Sequence, residues 1–153
     1  MDLKEICVAV ELGKGKRVKE LVNQAVDEGL SVKMILDDGL ILAMSMVAMM
    51  MKGMGATVYD LGVDVSDHTF VEKAEEVGAD IICISALLTT TMPAIGDVIK
   101  EFEKSGVRDK YYIMVGGAPV SQIYADQVGA NAYSSNASEA ADVAKAYLLS
   151  MTK

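Results

Sequence analysis

Tryptophan is absent from this 153-residue chain, cysteine and proline occur only twice each, histidine once, and aromatic residues make up 5%. Cys7 and Cys83 stand far apart, without CxxC or Cys/His spacing. That indicates neither a disulfide framework nor a zinc site, and both cysteines are expected to be buried, reduced thiols. Basic residues are also short: 14 Lys and Arg face 22 Asp and Glu, for a net charge of −8. Phosphate-backbone binding needs clustered cations, so nucleic acid is an unsuitable partner. No apolar run is long enough for a bilayer helix, which needs about 20 residues; the stretch 40–51 is the longest here. The opening Met1-Asp2-Leu3-Lys4-Glu5 is polar and acidic rather than leader-like. A cytoplasmic protein with no membrane partner is the expectation.

What the chain does have is aliphatic surface, with 52% hydrophobic residues. A chain this long supports one compact fold that buries roughly 70% of its unfolded surface. From Val58 onward, short β-rich runs alternate with amphipathic helical stripes, the pattern of a parallel sheet covered on both faces. Strands are predicted at residues 57–61, 80–85, 111–115 and near 132–133. Helical stripes fall at Phe70, Val71, Ala74 and Val77; at Ile95, Val98, Ile99 and Phe102; at Val120, Ile123, Tyr124 and Val128; and at Ala140, Val143, Ala144, Tyr147 and Leu148. An internal echo, Gly55-Ala56-Thr57, Gly78-Ala79-Asp80 and Gly129-Ala130-Asn131, marks places where a helix ends and a strand begins. The predicted fold class is α/β: a flavodoxin-like (Rossmann-like) parallel sheet flanked by helices, with a short N-terminal helical segment. Ligands of such sheets bind beyond the carboxyl ends of the strands.

The first 54 residues read less uniquely. Val18, Leu21, Val22, Ala25 and Val26 predict a helix over about 16–28, ended by Gly29. Residues 40–54 have helical length but are apolar nearly all round, as in a buried helix or a subunit contact. Residues 32–36 and 6–10 are each compatible with a short strand, since periodicity cannot separate such runs from helix.

Two loops carry candidate chemistry. Ser85-Ala86-Leu87-Leu88-Thr89-Thr90-Thr91-Met92-Pro93 leaves a buried strand through hydroxyl residues that suit either a polar ligand tail or the cap of the next helix. Val115-Gly116-Gly117-Ala118-Pro119 ends the following strand, and its paired glycines serve either close ligand approach or an ordinary tight turn. The methionines Met44, Met46, Met49, Met50, Met51 and Met54 read as core packing before soft-metal binding or docking. His68 is read as a solvated loop residue. Asp37 and Asp38 suggest a phospho-receiver pocket, but the strand that should supply the phospho-accepting Asp ends in Ser85 and no Lys follows Tyr133.

With these loops in place, the chain resembles the corrinoid proteins of methyltransferase systems, relatives of the cobalamin-binding domain of methionine synthase. The likeness rests on Tyr59-Asp60-Leu61-Gly62-Val63-Asp64-Val65, on the Ser85–Pro93 run and on Val115-Gly116-Gly117-Ala118-Pro119-Val120. It extends from about Val47 to Leu149. Residues 19–40 also resemble the opening of the helical cap that precedes that domain. The resemblance implies a bound cobalamin whose nucleotide tail enters the sheet edge. Ser85 and Leu87 would match the family's Ser-x-Leu element, with Thr89 close by. Gly116 and Gly117 would match its Gly-Gly element, and Tyr133 and Ser134 its closing loop. The family's Asp-x-His-x-x-Gly motif, whose His is cobalt's lower ligand, has no counterpart here, so no metal ligand is assigned.

Residues 1–46 are accordingly expected to form a partial helical cap, with 32–36 either replacing the missing first strand or remaining helical, and 47–153 a cobalamin-binding-like domain. The implied function is a corrinoid protein that carries a methyl group on cobalt between partner methyltransferases, with an open strand edge as a physical reason to form a homo-oligomer. The alternatives are a non-catalytic sensing or protein-interaction module of the same fold, and a cofactor-free remnant.

Overall fold

The structure is a computed structural model that describes residues 3–12, 14–31, 35 and 41–152. Two N-terminal helices, α1 (Lys4–Glu11) and α2 (Gly15–Asp27), precede α3 (Ile41–Gly53) and α4 (Asp67–Val77). There follow β1 (Ile81–Ser85), α5 (Pro93–Lys104), a 3-10 turn at Arg108–Lys110, β2 (Tyr112–Gly116), α6 (Gln122–Val128), β3 (Ala132–Ser134) and α7 (Ala137–Met151). The strands form one parallel sheet in the order β1-β2-β3.

Alternation along the strands divides the core into two layers, because successive side chains point to opposite faces. Ile82, Ile84, Ile113 and Val115 pack with Val71 of α4, with Ile95, Ile99 and Phe102 of α5, and with Ala125 of α6. On the other face Ile81, Tyr112, Met114 and Ala132 meet Met51 of α3 and Ala140 and Ala144 of α7. The helical stripes of α4, α5 and α7 account for most of these contacts. In α6 the stripe is shifted: Ala125 is buried, whereas Ile123 is 72% exposed. The three Gly-Ala echoes share one helix ending. In each, the glycine has a left-handed φ and the following alanine N–H reaches the carbonyl five residues back, as in Ala79 N–H to Ala74 O at 3.0 Å.

One open reading is settled and two expectations need correction. Of the two readings left open for residues 6–10, the helical one holds. Ile6 and Ala9 are buried while Val8 is half exposed, which is a helix face and not a strand alternation. Residues 57–61 form no strand. A strand exists by pairing, and the order expected for this fold puts a central strand beside it that the described residues do not supply. The segment instead packs Val58 against the α3–α7 layer and turns at Asp60, whose carboxylate accepts the Gly62 N–H at 2.8 Å. Cys83, in the middle of β1, is an exposed free thiol rather than a buried one. The expectation for 32–36 lies outside the described residues apart from Ile35, which is buried against α1 and α2 and donates its N–H to Ser31 O at 3.1 Å. Asp37 and Asp38 also lie outside them. Among the described residues no helix is long and apolar enough to cross a membrane.

Candidate functional site

The carboxyl ends of the three strands form one rim. Ser85 pairs with Gly116, and Gly116 pairs with Ser134, so these three residues stand in one row across the sheet. Alternation places all three on the α3–α7 face. Ser134 is the buried polar residue of the described core, 7% exposed, and its hydroxyl has no hydrogen-bond partner among the described residues. Ser85 is exposed. Between the two hydroxyls Gly116 presents no side chain, and a Cβ there would meet Ser134 O at 3.0 Å and Oγ at 3.5 Å. The row is therefore a notch with a hydroxyl on either side.

Gly117 has a different role. Its φ is +114°, and a Cβ would lie 2.0 Å from the Ala86 carbonyl oxygen. The β1 and β2 loops approach too closely there for any other residue, and Ala86 N–H donates to Gly116 O at 3.3 Å. The absent side chain at 117 accommodates the chain's own backbone rather than open space. Sequence reasoning had no signal for Ala86, whose importance comes only from this approach.

In the β1–α5 loop the hydroxyls divide. Thr91 closes its own turn, with its hydroxyl donating to Leu88 O at 2.9 Å, and so does not cap α5, whose N-cap Met92 makes no side-chain bond and is followed by Pro93. Thr89 and Thr90 are exposed and make no side-chain hydrogen bond among the described residues. The Tyr124 hydroxyl donates to Met92 O at 2.7 Å and ties this loop to α6. Desolvation, with Asp97 nearby, holds that phenol above its ordinary value, so it stays a donor.

The other expected residues are placed apart. Leu87 packs into the α1–α2 cluster with Ile6, Leu21 and Ile35, which seats the N-terminal helices against this rim. Tyr133 neighbours Ser134 in sequence but packs on the opposite face, in the α4–α6 layer. His68 is exposed at the first turn of α4, its Nε2 3.3 Å from Glu72 and its Nδ1 3.8 Å from Glu101, on the outer helical layer. It is exposed, in keeping with its reading as a solvated residue, but stands on a helix rather than in a loop.

The rim is uncharged over residues 85–93 and 116–125 in a chain of net charge −8. The charge nearest β3 in sequence, Glu139, is engaged locally. It accepts from Ser135 Oγ at 2.6 Å and Ser135 N at 2.7 Å, while Asn136 caps α7 by accepting the Glu139 N–H at 2.8 Å. The side-chain and then the backbone bond from Ser135 hold the carboxyl below its usual range. The Asn136-x-x-Glu139 spacing was a readable sign of this cap. No group of three His, Cys, Asp or Glu able to hold a metal occurs among the described residues. One cavity of about 330 Å³ lies between α1 and α2, and another of about 410 Å³ lies between α5 and α6, bordered by Pro93 and Tyr124.

Residues 30–147 match the B12 binding domain family model. The chain is 49% identical over 104 residues to dimethylamine corrinoid protein 3 of Methanosarcina mazei, which covers 68% of this chain and 62% of that protein. Against dimethylamine corrinoid protein 2 of Methanosarcina acetivorans the identity is 50% over 105 residues, 69% of this chain and 49% of the relative. The chain thus spans between about half and 62% of the length of these relatives. Among solved structures, a cobalamin-binding protein of Desulfitobacterium hafniense superposes with a TM-score of 0.67 at 18% identity, covering 95% of this chain and 88% of that one. The monomethylamine corrinoid protein of Methanosarcina barkeri superposes with a TM-score of 0.65 at 24% identity, covering 92% and 95%. At such identities these two likenesses speak for the fold.

Proposed function

Because this chain belongs to the B12-binding domain family, we propose that it is a cytoplasmic corrinoid-binding protein that carries a methyl group between partner methyltransferases. In this reading residues 47–153 are the binding unit and residues 1–46 a shortened helical cap. The observation that carries it is the row Ser85, Gly116 and Ser134, two hydroxyls flanking a side-chain-free notch on an uncharged rim.

The chemistry of the rim fits a neutral, hydrogen-bonding side arm such as a nucleotide tail. Ser134, buried and without a hydroxyl partner among the described residues, and the open hydroxyls of Ser85 and Thr89 would hold that arm, because a buried hydroxyl without a partner has a free-energy cost that a ligand bond removes. Gly116 would leave room for it, and Gly117 would keep the two loops together beneath it. Leu87 would anchor the N-terminal helices over the rim, and Tyr133 would support β3 from the other face. The bound corrinoid supplies a cobalt centre able to accept and donate a methyl group, while the protein supplies position and exclusion of water. None of the named rim residues is a cobalt ligand, so the tail contacts carry the binding.

The test is to mix the purified protein with hydroxocobalamin, separate by gel filtration, and record the visible spectrum of the protein peak. Co-elution with a base-off spectrum is expected, and cobinamide, which lacks the nucleotide tail, should not be retained. Loss of all corrinoid from the protein peak, or equal retention of cobinamide, would overturn the reading, and the former outcome is that of a cofactor-free remnant. Two observations favour a second reading, a non-catalytic sensing or interaction module. The chain carries no Asp-x-His-x-x-Gly motif, and α3 exposes Met49 and Met50. Such a module would retain corrinoid yet fail to become methylated by a cognate methyltransferase.

A further inference from the structure

The outer edge of β1 has a hydrogen-bonding pattern that can be read residue by residue. Asp80 O accepts the Tyr112 N–H at 3.1 Å and Ala86 N–H donates to Gly116 O at 3.3 Å, so the even-numbered residues of this stretch direct their backbone groups toward β2. In a parallel ladder the residues between them direct N–H and C=O the other way. Ile81, Cys83 and Ser85 therefore offer three donors and three acceptors on the side away from β2, where no strand pairs among the described residues. Natural sheet edges are blunted by lysine, proline or a bulge. The sequence Ile-Ile-Cys-Ile-Ser carries no charge and no proline, and its register with β2 runs without a bulge.

We propose that this edge pairs with the same edge of a second copy of the chain, antiparallel about a two-fold axis at Cys83. The outward residues 81, 83 and 85 are symmetric about residue 83, so such a pair sets Ile81 against Ser85 of the second copy and Cys83 against Cys83 of the second copy. All six outward groups of each strand are then satisfied, and a continuous six-stranded sheet results. An isologous contact of this kind closes on itself and leaves no further edge on β1.

Charge permits the pairing despite the net −8. The strand itself is uncharged, and Asp80 would fall opposite Ala86 of the second copy. The two Asp80 carboxylates would then be about 20 Å apart along the strands, at roughly 3.3 Å per residue. That exceeds the screening length of about 8 Å at physiological salt. Cys83 is exposed, and across the axis the two Cα atoms of a hydrogen-bonded antiparallel pair would lie about 5.5 Å apart, side chains on one face.

The inference does not depend on corrinoid binding. Its test uses the full chain with Cys7→Ser, leaving Cys83 as the one thiol. Light scattering after size exclusion should give twice the 16.3 kDa chain mass, and a short bis-maleimide should convert most of the protein to a cross-linked dimer. Cys83→Ser should remain dimeric. Cys83→Lys, which changes an exposed side chain and sets two ammonium groups directly opposite, should give a monomer with an unchanged circular dichroism spectrum. A monomer at 100 μM in the Cys7→Ser background, the outcome if the chain's own 57–61 segment covers the edge, would overturn the proposal. So would a dimer that neither cross-links at Cys83 nor responds to Cys83→Lys.

Discussion

At the scale of single residues, Gly117 and Ser134 separate what holds the fold from what serves a ligand. Gly117→Ala forces a Cβ to within 2.0 Å of the Ala86 oxygen at a φ of +114°. Urea unfolding should show a loss of about 2–4 kcal/mol, the size expected when strain and a backbone clash combine. Ser134→Ala should do the opposite to the free protein. Removing a buried hydroxyl that has no partner should leave stability unchanged or raise it by about 1 kcal/mol, while retention of hydroxocobalamin on gel filtration falls. A stability loss at Ser134 without a change in retention would assign that hydroxyl to the fold alone. Cys83 shows two properties that pull apart. Its side chain is exposed, yet the protein mass around it pushes the thiol up to about 11. Accessible surface governs whether a reagent arrives, and the raised value governs how much thiolate is ready to react.

At the scale of elements, each helix and strand reflects whether its backbone groups find partners. The α7 start illustrates how such an end titrates. Hydrogen bonds from Ser135 lower the folded-state value of the Glu139 carboxyl. Its contribution to stability is therefore complete above the ordinary value of the unfolded chain and is lost as pH falls through the lowered folded value. Between pH 6 and pH 3, the wild type should lose more unfolding free energy than Glu139→Gln, as measured by urea titration at each pH. The predicted strand at 57–61 had the right residues and failed for want of a neighbour. In contrast β1, β2 and β3 formed within one or two residues of their predicted places because each has at least one partner. The α1 segment shows the converse: an apolar run open to either reading became a helix once Ile6 and Ala9 had α2 to pack against.

At the scale of the whole molecule, the sheet is central and the helices form two layers around it, with the N-terminal pair seated against the carboxyl rim through Leu87. Protection from hydrogen exchange should follow that arrangement. The amides of Ile113, Met114 and Val115 lie on the strand paired on both sides and are 0–2% exposed, so they should be the slowest to exchange. Those of Val58 and Tyr59, which lie outside any ladder, should exchange orders of magnitude faster in the same experiment. Equal protection at the two places would mean that residues 57–61 are paired after all.

Alternating hydrophobic runs were enough to determine the class of fold, the order of its helices and strands from α4 onward, and the two loops at the rim, because burial periodicity is a property of neighbouring residues. The family resemblance was equally legible, since it lies in contiguous motifs such as Ser85–Pro93 and Val115–Val120. Only the tertiary structure decided that Gly117 serves the Ala86 carbonyl, that Tyr133 and Ser134 face opposite layers, that His68 turns to Glu72 and Glu101, and that Cys83 lies exposed on an edge that no strand pairs among the described residues. Each of these depends on what comes close in space from elsewhere in the chain, or on a neighbour that does not come, and such proximity leaves no local mark in the sequence.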